Sequence, residues 1–241
     1  INKMFNLSNP KKFQNFSDTI YPWVFYGSFI SVVIGLYFSF FKSPPDYLQG
    51  ETVRIMYVHV PCAWLSLQIY LIMAICSFVS IVYKHPLADI ISRSCAPIGA
   101  CFTLITLITG SIWGKPTWGT WWVWDARLTS ELILLFIYLG HILISNSFED
   151  VRKGDKNAAI LTLVGVINLP IIKWSVDWWN TLHQTASISK FSSPSIDPLM
   201  LTPLLIMTSS MMLFFISILL NRVSSEVLKR KIEIIRINQN N

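Results

Sequence analysis

The sequence predicts an all-α, polytopic membrane protein with six transmembrane helices. Three observations predict it. The chain of 241 residues is 53% hydrophobic and only 13% charged, about half the charged fraction of a soluble domain. Six apolar runs approach the roughly 20 residues that cross a bilayer. Lys and Arg are also spread unevenly over the polar stretches between those runs, as in membrane proteins whose loops are sorted by positive charge. With no internal repeat and no long linker, a single membrane domain over residues 1–241 is expected.

Residues 1–20 read as a polar tail. It lacks the short apolar core and small-residue cleavage site of a signal peptide, so no cleavable signal is expected. The first span is expected over about 23–41 and is closed by Pro44 and Pro45, which a continuing helix does not accept. The second runs over about 55–82. The third ends near Ile112 and covers about 93–112. The fourth covers about 128–144. The fifth, over about 158–172, is short, and Pro170 marks its expected end. The sixth covers about 199–220, and a basic, partly amphipathic tail over 222–241 closes the chain.

Six spans place both termini on one side. Of the nineteen Lys and Arg residues, thirteen fall on the side of the termini and six on the other. Positive charge marks the inner side, so both termini are expected inside. The net charge of +6 therefore reports topology rather than a nucleic-acid partner. The stretch over 113–127 and the long loop before the last span then face outward.

The stretch 113–127, WGKPTWGTWWVWDAR, holds five of the ten tryptophans in the chain. Trp118, Trp121, Trp122 and Asp125 fall at i, i+3, i+4 and i+7. A short outer-face helix there gathers them on one face, an aromatic shelf with a carboxylate at its end. The competing reading is an interfacial belt of half-buried indoles. A belt appears on both sides of a membrane, whereas eight of the ten tryptophans are expected on one side, leaving Trp23 and Trp64. A platform for a large, flat, apolar ligand explains the asymmetry better.

Two of the four histidines share that side. His59 lies four residues into the second span, roughly 6 Å below its outer end at 1.5 Å per residue. His183 follows Trp178 and Trp179 in the last outer loop. His85 and His141 fall at the inner side. A single histidine at a helix end is commonly just hydrogen-bonded or solvated. Two on one side, each beside an aromatic cluster, suit the axial positions of a haem iron, because neutral imidazole is a preferred ligand there. Pro61 removes the usual donor to the Tyr57 carbonyl, which offers a way to aim His59 outward.

Haem propionates call for Arg or Lys, and Arg54, Lys115, Arg127 and Lys173 are available. Arg127 and Glu131 also stand at i, i+4, so an ordinary ion pair competes for both. Asp125 is suitably placed to cap the fourth span. Glu131 is expected to face the bundle rather than lipid. Cys62, Cys76, Cys95 and Cys101 form no C-x-x-C pair and read as small core hydrophobes. The segment Gly110–Lys115 misses a phosphate loop by its spacing and lacks the following Ser or Thr. Without a nucleophile–base pair or a nucleotide motif, no enzyme activity is expected.

The segment WGKPTWGTWWVWDARLTSE resembles the signature of the haem-handling family of cytochrome c maturation, named after its tryptophan-rich WWD domain. MYVHVP around His59 and WWNTLHQ, which contains His183 and Gln184, match it too. With six spans, the likeness is to the small, single-haem branch of maturation system I, from about Gly50 to the end of the sixth span. The resemblance implies that His59 and His183 are the axial ligands of haem b at the outer face. It implies that Trp113, Trp118, Trp121, Trp122, Trp124 and Asp125 form the cradling surface, and that Arg127 meets a propionate. It also implies delivery of haem to a haem chaperone, together with the membrane and ATPase subunits of an ABC transporter and a small single-span protein. The expected location is the inner membrane of a bacterium or a mitochondrion, with the site facing the periplasm or intermembrane space. Two alternatives remain: a cytochrome b type electron carrier using His141 and His85 for a second haem, and a ligand-free scaffold for a transporter.

Overall fold

The computed structural model describes residues 9–179, 181–183 and 196–240. Residues 1–8 of the expected tail, with Lys3, lie outside them, as do Asn180, Gln184 and Lys190 of the last long loop. Among the described residues seven α-helices follow in order: α1 (Pro10–Tyr37), α2 (Met56–Tyr83), α3 (Pro86–Trp118), α4 (Ala126–Asn146), α5 (Val151–Gly165), α6 (Asn168–Trp178) and α7 (Pro198–Asn240). A π-helical turn, Phe38–Lys42, extends α1, and a 3-10 turn, Glu51–Ile55, leads into α2. Among the described residues, six segments are long and apolar enough to cross a membrane, with α5 and α6 together making the fifth.

The helix ends follow local chemistry. Asn9 accepts from the Lys11 amide to open α1. Pro86 stands in the first turn of α3, where its missing N–H is no loss. Asp125 and Asp150 cap α4 and α5 by accepting from the amides of Leu128 and Arg152. Pro44 and Pro45 do end the first helical segment. The loop beyond them is folded by Asp46, whose Oδ1 accepts from the amides of Leu48 and Gln49, both at 2.8 Å.

Two expectations are corrected. Pro170 does not end the fifth span. A proline within a continuous helix has no N–H to offer the carbonyl four residues back, which here is Val166. The chain breaks at 166–167 instead, restarts at Asn168 with Pro170 in its first turn, and continues to Trp178. Nor does the tryptophan-rich stretch form a helix of its own. Trp113–Trp118 prolong α3, Gly119 closes it with φ +78°, and 119–125 is irregular. A left-handed residue ends the helical ladder, and glycine adopts that conformation without steric cost. Trp121 and Trp122 are therefore displayed from a loop rather than from one helical face.

The bundle is built on the α2–α3 hairpin, with α4 packed on α3 and α5 against α4 and α2. Its centre joins Cys62, Leu65, Ile69, Tyr70 and Met73 of α2 to Cys95 and Phe102 of α3, Leu134 and Tyr138 of α4, Ile172 of α6 and Phe215 of α7. Lipid is as apolar as these side chains, so close packing and hydrogen bonds between helices supply the specificity. Tyr138 donates to the Ser66 carbonyl at 2.7 Å, and Tyr70 to the Thr162 carbonyl at 2.8 Å. α1 is peripheral and packs chiefly along α7.

At the end of the bundle bearing the chain's C-terminal tail, an ion network ties three helices. Asp155 of α5 receives Arg93 of α3 at 2.8 Å and Arg230 of α7 at 2.7 Å, and Arg230 also meets Glu226 at 3.2 Å. The basic tail is thus a direct continuation of α7. Forty-three helical residues span about 64 Å at 1.5 Å per residue, roughly twice the hydrocarbon thickness.

Candidate functional site

The opposite end gathers the residues singled out from the sequence. His59 lies in the first turns of α2 and is 9% exposed. Its Nδ1 is 3.1 Å from the Thr106 carbonyl and 3.1 Å from Thr109 Oγ1 on α3. Its ring meets that of Trp113 edge-on, 5.7 Å between centroids. Trp113 is fixed in turn by donating its indole N–H to Gln49 Oε1 at 2.8 Å. The folded loop after α1 therefore braces the aromatic neighbour of His59.

His183 reaches the same end from beyond α6. Its ring lies 5.0 Å from that of Trp118, tilted by 53°. Burial, reinforced by the positive charge of Arg127, brings its pKa down to about 4. The imidazole is therefore neutral near pH 7, the form that binds a metal. Arg127 is within electrostatic reach of both imidazoles, and the two imidazoles of each other. Residues 124 positions apart in the chain thus share one electrostatic environment.

The irregular segment after Gly119 is held by several bonds. Ser111 donates to the Trp121 carbonyl at 2.7 Å, Lys115 to the Gly119 carbonyl at 3.1 Å, and Thr120 to the Trp122 carbonyl at 3.0 Å. Lys115 also stands 6.0 Å above the Trp121 ring, a cation–π distance. Trp122 and Trp124 meet edge to face at 5.4 Å. Trp121 and Trp124 are 56% and 76% exposed, which fits an open surface rather than a packed core. A cleft of about 310 Å³, lined by Val123, Asp125, Thr181 and Leu182, runs between this segment and the chain leading to His183.

Three buried polar atoms at this end have no hydrogen-bond partner among the described residues: Trp122 Nε1, Asp125 Oδ2 and His183 Nδ1. A buried polar group left unmatched costs about 1–3 kcal/mol, so a polar group that met these atoms would be stabilised there. The donor set suits haem: two imidazoles, indole faces and the Arg127 guanidinium.

Other expected contacts differ. Arg127 and Glu131 do not pair. Arg127 donates to the Ile172 carbonyl at 2.6 Å, and Glu131, buried as expected, takes a 2.8 Å bond with Ser66 of α2. The two side chains stand one turn apart but point to different neighbours, α6 and α2. Arg54 binds Glu51 and the Ser39 carbonyl, so it braces the loop after α1. His141 lies buried in α4, its Nδ1 2.8 Å from Thr162 Oγ1. The four cysteines are free thiols. Thr106, Thr109 and Gly110, which seat His59, were not anticipated; their signal was two hydroxyls and a glycine within one apolar span.

The family model described as Heme exporter protein C matches residues 3–238. Heme exporter protein C of Bradyrhizobium diazoefficiens is 46% identical over 236 residues, covering 98% of this chain and 89% of that protein. Its counterpart in Escherichia coli K12 is 48% identical over 198 residues, covering 82% and 80%. A putative cytochrome c biosynthesis ccmC-like mitochondrial protein of Marchantia polymorpha is 53% identical over 177 residues, covering 73% and 75%. By the length of these matches, the chain belongs to the haem exporter protein C family.

Proposed function

We propose that this protein binds haem b at the outer face of the membrane and delivers it for cytochrome c maturation. His59 and His183 serve as the axial ligands. Trp113, Trp118, Trp121, Trp122 and Trp124 supply the aromatic surface, with Asp125 at its rim and Arg127 for a propionate. The observation that carries the reading is the convergence of two imidazoles from distant parts of the chain, each against an indole, with Arg127 within electrostatic reach of both. Binding and presentation, rather than catalysis, are its task.

The protein hands its haem to a haem chaperone and works with the membrane and ATPase subunits of an ABC transporter and a small single-span subunit. ATP is then spent by a partner, in keeping with the missing nucleotide motif. The relatives are bacterial proteins and a mitochondrial one, so the site faces a periplasm or an intermembrane space. The excess of Lys and Arg on the side of the termini supports that orientation. The test is haem content and chaperone loading in His59→Ala, His183→Ala and the double variant. Each single change is expected to lower both. Full loading by the double variant would refute the reading.

A further inference from the structure

We propose that the two imidazoles have different tasks: His59 is the fixed anchor of the haem, and His183 is the ligand that yields when the haem is passed on. The inference rests on the haem reading above and adds to it an order of ligand loss. It comes from how each ring is held.

His59 is held on several sides. Its Nδ1 faces two oxygens of α3, the Thr106 carbonyl and Thr109 Oγ1, each at 3.1 Å. The carbonyl can only accept. Thr109 has one hydroxyl hydrogen, and its Oγ1 lies 2.6 Å from the Ile105 carbonyl, to which that hydrogen goes. Toward His59 it therefore also accepts. Two acceptors at Nδ1 fix the proton there and leave the lone pair on Nε2, the nitrogen free for iron. The ring also rests against the α3 backbone at Gly110, where an added Cβ would stand 3.0 Å from Cε1. Trp113 closes the edge. The ring thus has one tautomer and one seat.

His183 has neither. Among the described residues neither of its ring nitrogens has a hydrogen-bond partner, so whichever one ligates, the other gives no support, and Nδ1 is buried. The residue follows the end of α6, outside any helix, with its backbone N–H on Thr181 Oγ1 at 3.2 Å and the tilted Trp118 ring beside it. A hydrogen bond from the far nitrogen of a ligating imidazole orients the ring and strengthens its donation to the metal. His59 has that support and His183 lacks it. With haem held as proposed, His59 would be the firmer ligand and His183 the one that gives way to an incoming group.

The test uses the full-length protein purified with haem, beside His59→Gly and His183→Gly. The hydrogen-bond partners of a ligating histidine typically carry 10- to 100-fold in metal affinity. His59→Gly is therefore expected to weaken haem retention at least about tenfold more than His183→Gly. Carbon monoxide added to the reduced wild type should replace His183. Its Fe–CO and C–O stretching bands should then coincide with those of the His183→Gly adduct. Equal or reversed retention, or a wild-type adduct matching His59→Gly, would overturn the proposal. Haem binding unaffected by either substitution would overturn the haem reading itself.

Discussion

Asp125 carries two separable tasks, and a pair of substitutions divides them. Its Oδ1 accepts from the Leu128 amide at 2.8 Å and caps α4, while Oδ2 is buried and has no partner among the described residues. Asparagine caps a helix about as well as aspartate, whereas alanine loses about 1 kcal/mol. Removing the negative charge from the helix start costs a further ~0.5 kcal/mol in both variants. Asp125→Asn is thus expected to lose about 0.5 kcal/mol and Asp125→Ala about 1.5 kcal/mol. Neither loss unfolds a helix embedded in the bundle. Asparagine, however, places an amide N–H₂ or a weaker oxygen where Oδ2 stood. If that oxygen receives a bond from the bound haem or its surroundings, both variants lose haem to a similar degree despite unequal stability. The assay pairs haem-to-protein ratio by pyridine haemochrome with thermal unfolding in detergent, followed by tryptophan fluorescence. A fully loaded Asp125→Asn beside a depleted Asp125→Ala would show that the cap is the whole contribution, and would refute the reasoning.

Two further outcomes concern the rest of the bundle. Asp155→Ala strips two arginines of their shared buried partner, a change that typically costs about 3–5 kcal/mol. It should release the tail of α7, so that trypsin cuts among Lys229, Lys231 and Arg236 faster than in the wild type, while haem content at the far end is retained. Glu131→Gln keeps a polar group able to meet Ser66 Oγ and should change stability by less than about 1 kcal/mol. Glu131→Ala leaves a cavity, though the Ser66 hydroxyl keeps the Ala63 carbonyl as acceptor, and should cost about 2–3 kcal/mol. Thermal midpoints in the same detergent would check both, and a Gln variant as unstable as the Ala variant would sink the expectation.

The spans were readable because each needs only a long apolar run, and lipid leaves the backbone no alternative to the helix. Asp125 as a cap was readable because capping is local, acting over three residues. The end of the fifth span is not legible in the sequence because Pro170 looks the same at a helix stop and at a helix start. Only the ladder four residues back, broken at Val166, distinguishes the two.

The sequence by itself determined the class of the protein and the order of its spans, because hydrophobic length is a property of the chain, and it named the residue types of the candidate site. It could not say which neighbours the polar side chains choose. The i, i+4 spacing suggested that Arg127 would pair with Glu131, yet α6 and α2 draw them apart. Nothing in the spacing of His59 announced Thr106, Thr109 and Gly110, some fifty residues on. Those choices depend on which helix faces are brought within 3 Å of one another, and helix packing alone decides that.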